Sequence, residues 1–139
     1  FNLKMTDMAA ALGRSQIGRI ESFIARRRFL AEWYSSAFKG LGLELPADDP
    51  AGRHIFYRYV IRSHDADTLR RGLITRGVKA ERPVFAPLSR MPGVTVSCPG
   101  AERAWSDMLS IPLYPALTEE EAETVIAAVT ETMKGRNTI

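Results

Sequence analysis

The chain has 139 residues, 45% of them hydrophobic and 25% charged, with a formal net charge of +3. This composition is typical of a globular domain and not of a disordered or fibrous chain. The chain is long enough to form one hydrophobic core without stabilising cross-links. The single cysteine, Cys98, excludes an internal disulfide framework and indicates a reducing compartment. No apolar run approaches the roughly 20 residues that span a bilayer, and no signal pattern is visible. We therefore expect a soluble cytoplasmic protein without a membrane partner.

The first forty residues predict a helix with a break in it. Thr6 or Asp7 is placed to cap its start, a bend or break is expected near Gly18–Glu21, and Gly40 and Gly42 end the helical segment. The prediction rests on apolar positions three and four residues apart: Met8, Leu12, Ile17, Ile20, Phe23, Ile24, Leu30, Trp33, Ala37 and Leu41.

Much of the positive charge lies in this segment, above all in Arg26-Arg27-Arg28. A basic helix can bind nucleic acid, which is one hypothesis. Because the three arginines lie between apolar Ile24 and Leu30, we favour a solvated helix face and expect no nucleic-acid partner.

The middle of the chain predicts two strands and a helix. Alternation over His54–Arg62 predicts a strand with Ile55, Tyr57, Tyr59 and Ile61 on one side. A helix capped by Ser63 or Asp65 should follow and end at Gly77. Val78–Val84 should form a second strand, and Pro83 indicates that this strand lies at an edge or ends there.

The last third predicts a loop, two helices and a short extended piece. The loop covers Phe85–Cys98, a short helix starts at Pro99, and Ser110–Pro115 is extended. Thr118 and Glu121 form a capping box for the final helix. The fold class is therefore α/β (an α+β small domain): a long N-terminal helical segment followed by a two- to three-stranded sheet covered by helices.

The residues carry little chemistry that can be recognised from spacing. There is no glycine-rich phosphate loop. His54, His64 and Cys98 lack metal-ligand spacing, so no metal site is predicted. Cys98 is interpreted as an inert buried or half-buried thiol.

Several segments, in order, resemble one enzyme family. Residues 2–13 (NLKMTDMAAALG) are similar to the segment that opens the C-terminal half of DegT-type aminotransferases, and Ile20–Arg28 looks like the family's second helix. His54–Arg62 matches its small-domain strand. Pro87-Leu88, Ala101–Arg103 and Ser110–Thr118 match its C-terminal pattern. The resemblance covers essentially the whole chain.

The resemblance implies a fold-type-I, pyridoxal-phosphate-dependent homodimer that moves an amino group from glutamate to a nucleotide-linked keto sugar. Residues 1–42 would then be a helical segment linking to a large domain and the dimer partner, and residues 43–139 the small C-terminal α/β domain. The Schiff-base lysine of such enzymes belongs to the large domain, so no catalytic residue is assigned here. Asn2 matches an asparagine that reaches the partner's cofactor phosphate. Lys4 falls where an arginine often makes a similar contact, and it would act as a point charge.

The same resemblance implies substrate-binding roles for His54, Tyr57, Arg58 and Arg82. From the residues alone, Tyr57 is equally well explained by core packing. His54 could be a histidine at the start of a strand whose ring makes its hydrogen bonds within the protein, and Arg82 could pair with a neighbour such as Glu81. Family members often carry histidine where this chain has Ser89, so a substrate contact there is not carried over.

Two further expectations follow. The chain starts Phe1-Asn2-Leu3 without an initiator methionine, which processing would explain and which a piece of a longer protein also predicts. Such a piece, inactive alone, should expose Phe1, Met5, Met8, Leu12 and Ile17 and associate through them. The alternative is a free-standing, non-catalytic dimerisation or interaction module.

Overall fold

The computed structural model describes residues 4–47 and 51–135. This part of the chain contains five α-helices, a two-stranded sheet and one 3-10 turn at Leu88–Arg90. In chain order the elements are α1 (Asp7–Ile17), α2 (Ile20–Phe38), β1 (Tyr59–Arg62), α3 (Ala66–Thr75), α4 (Pro99–Asp107), β2 (Met108–Ile111) and α5 (Glu119–Lys134).

The helix boundaries follow the predicted local signals. Thr6 caps α1 by accepting a hydrogen bond from the Ala9 amide at 3.2 Å, and the predicted break separates α1 from α2 at Gly18. In the capping box of α5, Thr118 Oγ1 accepts from the Glu121 amide at 3.1 Å, and Glu121 Oε2 accepts from the Thr118 amide at 2.9 Å. These predictions are confirmed, as is Asp65 as the cap of α3.

The sheet is antiparallel and buried on one face. Tyr59 pairs with Ile111 and Arg62 with Met108, and single bridges add Glu44 beside β1 and Glu81 beside β2. Buried and half-buried residues alternate along both strands, as expected when one face packs on the core. The buried positions are Tyr59, Ile61, Leu109 and Ile111.

The predicted strand over His54–Arg62 is too long, because only Tyr59–Arg62 is paired. Phe56 has a positive φ of 48° and is buried, which reverses the predicted alternation. Side chains satisfy the backbone here: Nδ1 of His54 accepts from the Phe56 amide at 2.8 Å, and arginines of α2 bind the carbonyls of His54, Phe56 and Tyr57. A segment whose polar groups are satisfied in this way has no need of a neighbouring strand.

The predicted strand over Val78–Val84 is also wrong, since only Glu81 bridges to β2. Pro83 has no N–H to extend that pairing. The extended piece predicted at Ser110–Pro115 is a strand shifted two residues towards the N-terminus, and β2 ends just before Pro112.

The core joins the buried sheet face to α2, α3 and α5. Its centre is aromatic: the Tyr34 and Tyr59 rings meet edge to face with centroids 5.3 Å apart, and Phe38 lies 5.6 Å from Tyr34. Helices α3 and α5 touch at Gly72, where a Cβ atom would lie only 2.5 Å from Cγ2 of Thr132.

Two regions expose apolar side chains. Helix α1 has no buried residue, and Met8 is 86% exposed. The loop between Val84 and Val96 exposes Phe85 (93%) and Leu88 (79%). The predicted exposure of Met5, Met8, Leu12 and Ile17 is confirmed, while Phe1 lies outside the described residues. Among the helices of the described chain, none combines the length and apolarity needed to traverse a lipid bilayer.

Candidate functional site

Three consecutive arginines of α2 bind backbone carbonyls before β1 and after β2. Nη1 of Arg27 donates to the carbonyls of Phe56 (3.1 Å), Tyr57 (2.8 Å) and Leu113 (3.1 Å). Nε of Arg28 donates to the His54 carbonyl at 3.0 Å, and Nη2 of Arg26 to the Leu117 carbonyl at 2.9 Å. The prediction of a solvated face for these arginines is therefore wrong. Their side chains are half-buried and bind the backbone of the segments that precede β1 and follow β2.

This arrangement explains why residues 54–58 form a fixed loop at the surface. Each guanidinium places a positive charge against carbonyl oxygens, which makes these hydrogen bonds stronger than neutral ones. Local sequence analysis missed it because the partners lie 26 to 91 residues apart along the chain. The only sequence feature that pointed to these contacts was the run of three arginines in a helix whose apolar residues recur at helical spacing.

Two of the predicted site residues lie on this loop. The imidazole of His54 packs on Phe56 with ring centroids 4.3 Å apart and accepts from the Phe56 amide, so the ring is satisfied within the loop. Tyr57 is 67% exposed, which makes core packing wrong for it. Two cations lie near its ring, with the guanidinium carbons of Arg27 and Arg58 at 5.8 and 5.7 Å from the ring centroid.

The structure brings the Arg58 side chain to the segment that contains Arg82. Arg58 donates through Nη1 to the carbonyl of Pro83, the residue after Arg82. Arg82 pairs with Asp67 through Nη2 at 2.7 Å, so the predicted pairing with Glu81 is wrong. Glu81 instead binds Arg70.

Asn2 lies outside the described residues, and Lys4 is an exposed cation in the extended stretch before α1. All four lysines of the chain lie on the surface. Lys4 precedes α1, the helix that has no buried residue.

The loop after Pro83 is held against α4. The indole N–H of Trp105 donates to the Val84 carbonyl at 3.0 Å, and the guanidinium carbons of Arg82 and Arg90 lie 4.2 and 4.5 Å from the Trp105 ring. Glu102 accepts hydrogen bonds from the Ser89 hydroxyl and from Arg90. These bonds, the one from Ser89 first, lower the pKa of the Glu102 carboxyl. Ser89 thus faces α4.

Three further features bear on chemistry. Cys98 is exposed, so the prediction of a buried or half-buried thiol is wrong. Burial raises the pKa of the Tyr34 and Tyr59 hydroxyls, which donate or share hydrogen bonds with the Pro112 carbonyl and with Ser35. Within residues 4–47 and 51–135, no three side chains of the His, Cys, Asp or Glu type converge in a way that suits a metal ion.

Comparison with known proteins decides the family. The DegT/DnrJ/EryC1/StrS aminotransferase family matches residues 1–130. The chain belongs to this family. GDP-perosamine synthase of Caulobacter vibrioides is 31% identical to it over 143 aligned residues, which cover 96% of this chain and 38% of that protein. The dTDP-3-amino-3,4,6-trideoxy-alpha-D-glucose transaminase of Micromonospora megalomicea is 30% identical over 96% of the chain and 39% of its own length.

Solved structures of the same family share the fold. The aminotransferase TlmJ from Streptoalloteichus hindustanus superimposes with a TM-score of 0.88 at 34% identity, over 96% of this chain and 38% of that one. DesV from S. venezuelae, solved in complex with a ketimine intermediate, gives a TM-score of 0.86 at 30% identity, over 94% of this chain and 37% of its own. The chain thus spans less than two-fifths of the aminotransferases that it matches, and its architecture is that of part of a fold-type-I aminotransferase.

Proposed function

We propose that this chain is the C-terminal portion of a pyridoxal-phosphate-dependent aminotransferase that acts on a nucleotide-linked keto sugar. One observation carries the proposal: a family match over residues 1–130 in a chain that spans about 38% of GDP-perosamine synthase. The proposal includes a homodimer, an amino-acid donor such as glutamate, and a cytoplasmic location. The exposed apolar residues of α1 support the homodimer, because such a face favours association.

The residues present fit one end of the cofactor. A phosphate requires cations or N–H donors, and the exposed ammonium of Lys4 suits it as a point charge. The four lysines of this chain all lie on the surface, and none is enclosed in an apolar pocket. We therefore assign phosphate binding to Lys4, with Asn2 beside it in sequence, and no covalent role to this chain.

When bound, pyridoxal phosphate supplies the electron sink that allows an amino group to pass between a donor and a keto carbon. The contribution of this chain is to bind and orient. In the proposal, Tyr57 offers an exposed aromatic face and Arg58 a cation to the nucleotide sugar. His54 contributes by shaping the loop, since its ring nitrogen is engaged by the Phe56 amide.

The test uses the complete gene product that contains this chain, purified and supplied with pyridoxal phosphate and glutamate. Keto sugars linked to dTDP, GDP and UDP are offered separately, and the amino sugar and 2-oxoglutarate are measured by mass spectrometry. We expect equimolar formation of the two products with at least one substrate. If no substrate is aminated, the proposed activity is wrong.

Matched lysine variants test the phosphate assignment. Lys4→Ala should raise the dissociation constant for pyridoxal phosphate about tenfold, the range expected for losing a hydrogen bond to a charged group. Lys39→Ala removes an exposed cation next to the C-terminal end of α2 and should leave that constant unchanged. Equal effects of the two variants would refute the role of Lys4. A complete gene product that dimerises but neither binds the cofactor nor aminates a sugar would support the alternative, a non-catalytic dimerisation module.

A further inference from the structure

The guanidinium group of Arg82 is bound by groups of the protein itself. Its Nη1 donates to the carbonyls of Trp105 and Ser106, both at 2.6 Å, and its Nη2 donates to Oδ1 of Asp67 at 2.7 Å. The guanidinium carbon lies 4.2 Å from the Trp105 ring centroid, and only 16% of the side chain is exposed. Three of its five N–H donors are thus used within the protein, and the low exposure of the side chain limits access of a phosphate or a sugar hydroxyl to the other two.

These contacts fix the backbone next to Arg82. Asp67 belongs to α3, whereas Trp105 and Ser106 lie at the end of α4, so Arg82 fastens its own segment to two helices. A second tie follows two residues later, where the Trp105 indole donates to the Val84 carbonyl at 3.0 Å. Pro83 lies between the two ties, and its ring restricts φ further.

The carbonyl of Pro83 is the partner of Arg58. Nη1 of Arg58 donates to it, and the guanidinium carbon of Arg58 then lies 5.7 Å from the exposed ring of Tyr57. Arg58 is itself exposed, and this carbonyl holds the end of its long side chain in place. A displacement of Pro83 would release Arg58 from its position beside Tyr57.

We infer that Arg82 is a positioning residue, which acts through the Pro83 carbonyl to hold Arg58 beside Tyr57 and does not itself contact the substrate. This inference rests on the proposed function, in which Arg58 faces the nucleotide sugar. It replaces the substrate-binding role that the sequence assigns to Arg82. Residues that keep a binding group in a fixed geometry affect substrate binding without touching the substrate.

A double-mutant cycle on the complete gene product tests the inference. The variants are Arg58→Ala, Arg82→Ala and the combination, and the measurements are KM for the keto nucleotide sugar and kcat. We expect each single variant to raise KM roughly tenfold, the effect of losing a charge-assisted hydrogen bond, with kcat within about twofold. The double variant should match Arg58→Ala, since Arg82 acts through Arg58. Effects that multiply to roughly a hundredfold, as independent contacts would give, overturn the inference.

Two controls separate positioning from stability. Arg76→Ala breaks an ion pair between α3 and Glu131 of α5, away from Pro83, and should leave KM unchanged even if it lowers the melting temperature. Arg82→Lys keeps a cation for Asp67 but cannot hold two carbonyls as well, so its KM should fall between wild type and Arg82→Ala. A KM for Arg82→Lys equal to that of Arg82→Ala, with Arg76→Ala equally impaired, would show a stability effect and count against the inference.

A readout without turnover keeps this inference distinct from the proposed function. In ¹⁵N spectra of the complete gene product labelled at arginine, the Nε–H resonance of Arg58 should shift in Arg82→Ala and stay in place in Arg76→Ala. If the complete protein aminates no sugar but this shift occurs, the activity is wrong while the coupling between Arg82 and Arg58 stands. An unchanged Arg58 resonance in Arg82→Ala refutes the coupling itself.

Discussion

Helix α5 buries six of its 16 residues, whereas α1 buries none of its 11. Both helices have a capped start and apolar residues at helical spacing, so the difference does not lie in local sequence. It lies in what each apolar face meets: Val125 and Val129 join the core with α3 and the sheet, while Met8 and Leu12 face outward. Amphipathic spacing predicts a helix, and only tertiary contacts decide whether its apolar face is covered within the same chain.

A pair of leucine variants gives the largest expected difference between the two regions. Leu69 of α3 is fully buried, whereas Leu12 of α1 is 64% exposed. Leu69→Ala should lower the free energy of unfolding by about 2–5 kcal/mol, because it removes buried methyl groups and leaves a cavity. Leu12→Ala should change it by less than about 0.5 kcal/mol. Urea unfolding followed by circular dichroism measures both, and a cost for Leu12→Ala similar to that of Leu69→Ala would show that α1 is packed within the chain.

A second pair of variants compares helix packing at two glycines and should give a smaller effect. At Gly72 a Cβ would lie 2.5 Å from Cγ2 of buried Thr132, while at Gly13 of α1 it would meet no atom within 4 Å. Gly72→Ala should therefore cost about 1–3 kcal/mol by overpacking, even though alanine favours a helix. Gly13→Ala should gain up to about 1 kcal/mol in helix propensity. Thermal unfolding of the two variants checks the opposite signs, and stabilisation by Gly72→Ala would contradict the close approach of α3 and α5.

Sequence predicted the parts of the fold that depend on neighbours along the chain. The cap at Thr118 with Glu121, the break at Gly18 and the cap at Asp65 each involve groups within about one helical turn, and all three are confirmed. The strand prediction failed where distant side chains intervene. Arg27 and Arg28 of α2 bind the carbonyls of His54, Phe56 and Tyr57, which alternation alone assigned to a sheet.

The candidate site shows the same limit. Residue type and resemblance indicated Tyr57 and Arg58, whose exposed side chains lie beside one another. The partner of Arg82 was predicted as its neighbour Glu81, but the fold brings Asp67 closer. Fifteen residues separate Arg82 from Asp67 along the chain, so only the packing of α3 beside the sheet edge reveals that Arg82 is occupied.

The smallest expected effect concerns the loop that α4 holds through Glu102. Because the folded-state pKa of Glu102 is lowered, the stability contributed by its hydrogen bonds with Ser89 and Arg90 is fully present above the ordinary carboxyl pKa. That contribution is lost as pH falls through the lowered folded-state pKa, where the carboxylate itself is protonated. We expect the amide resonances of Ser89 and Arg90 to shift below pH of about 4 while those of β1 and β2 stay in place. Glu102→Gln removes the titrating group, so the same resonances should no longer respond to acid.

The core should respond at the opposite end of the pH scale. Burial raises the pKa of Tyr34 and Tyr59, so their neutral forms stabilise the fold below the ordinary value of about 10, and that contribution is lost as pH rises beyond it. Tyr59→Phe removes one ionisable group from the core and should reduce the alkaline loss of stability without changing the acid shifts of Ser89 and Arg90. If the amide resonances of the loop and of the strands instead shift together at low pH, the loop unfolds with the core. The difference seen between α5 and α1 would then not apply to the loop that α4 holds.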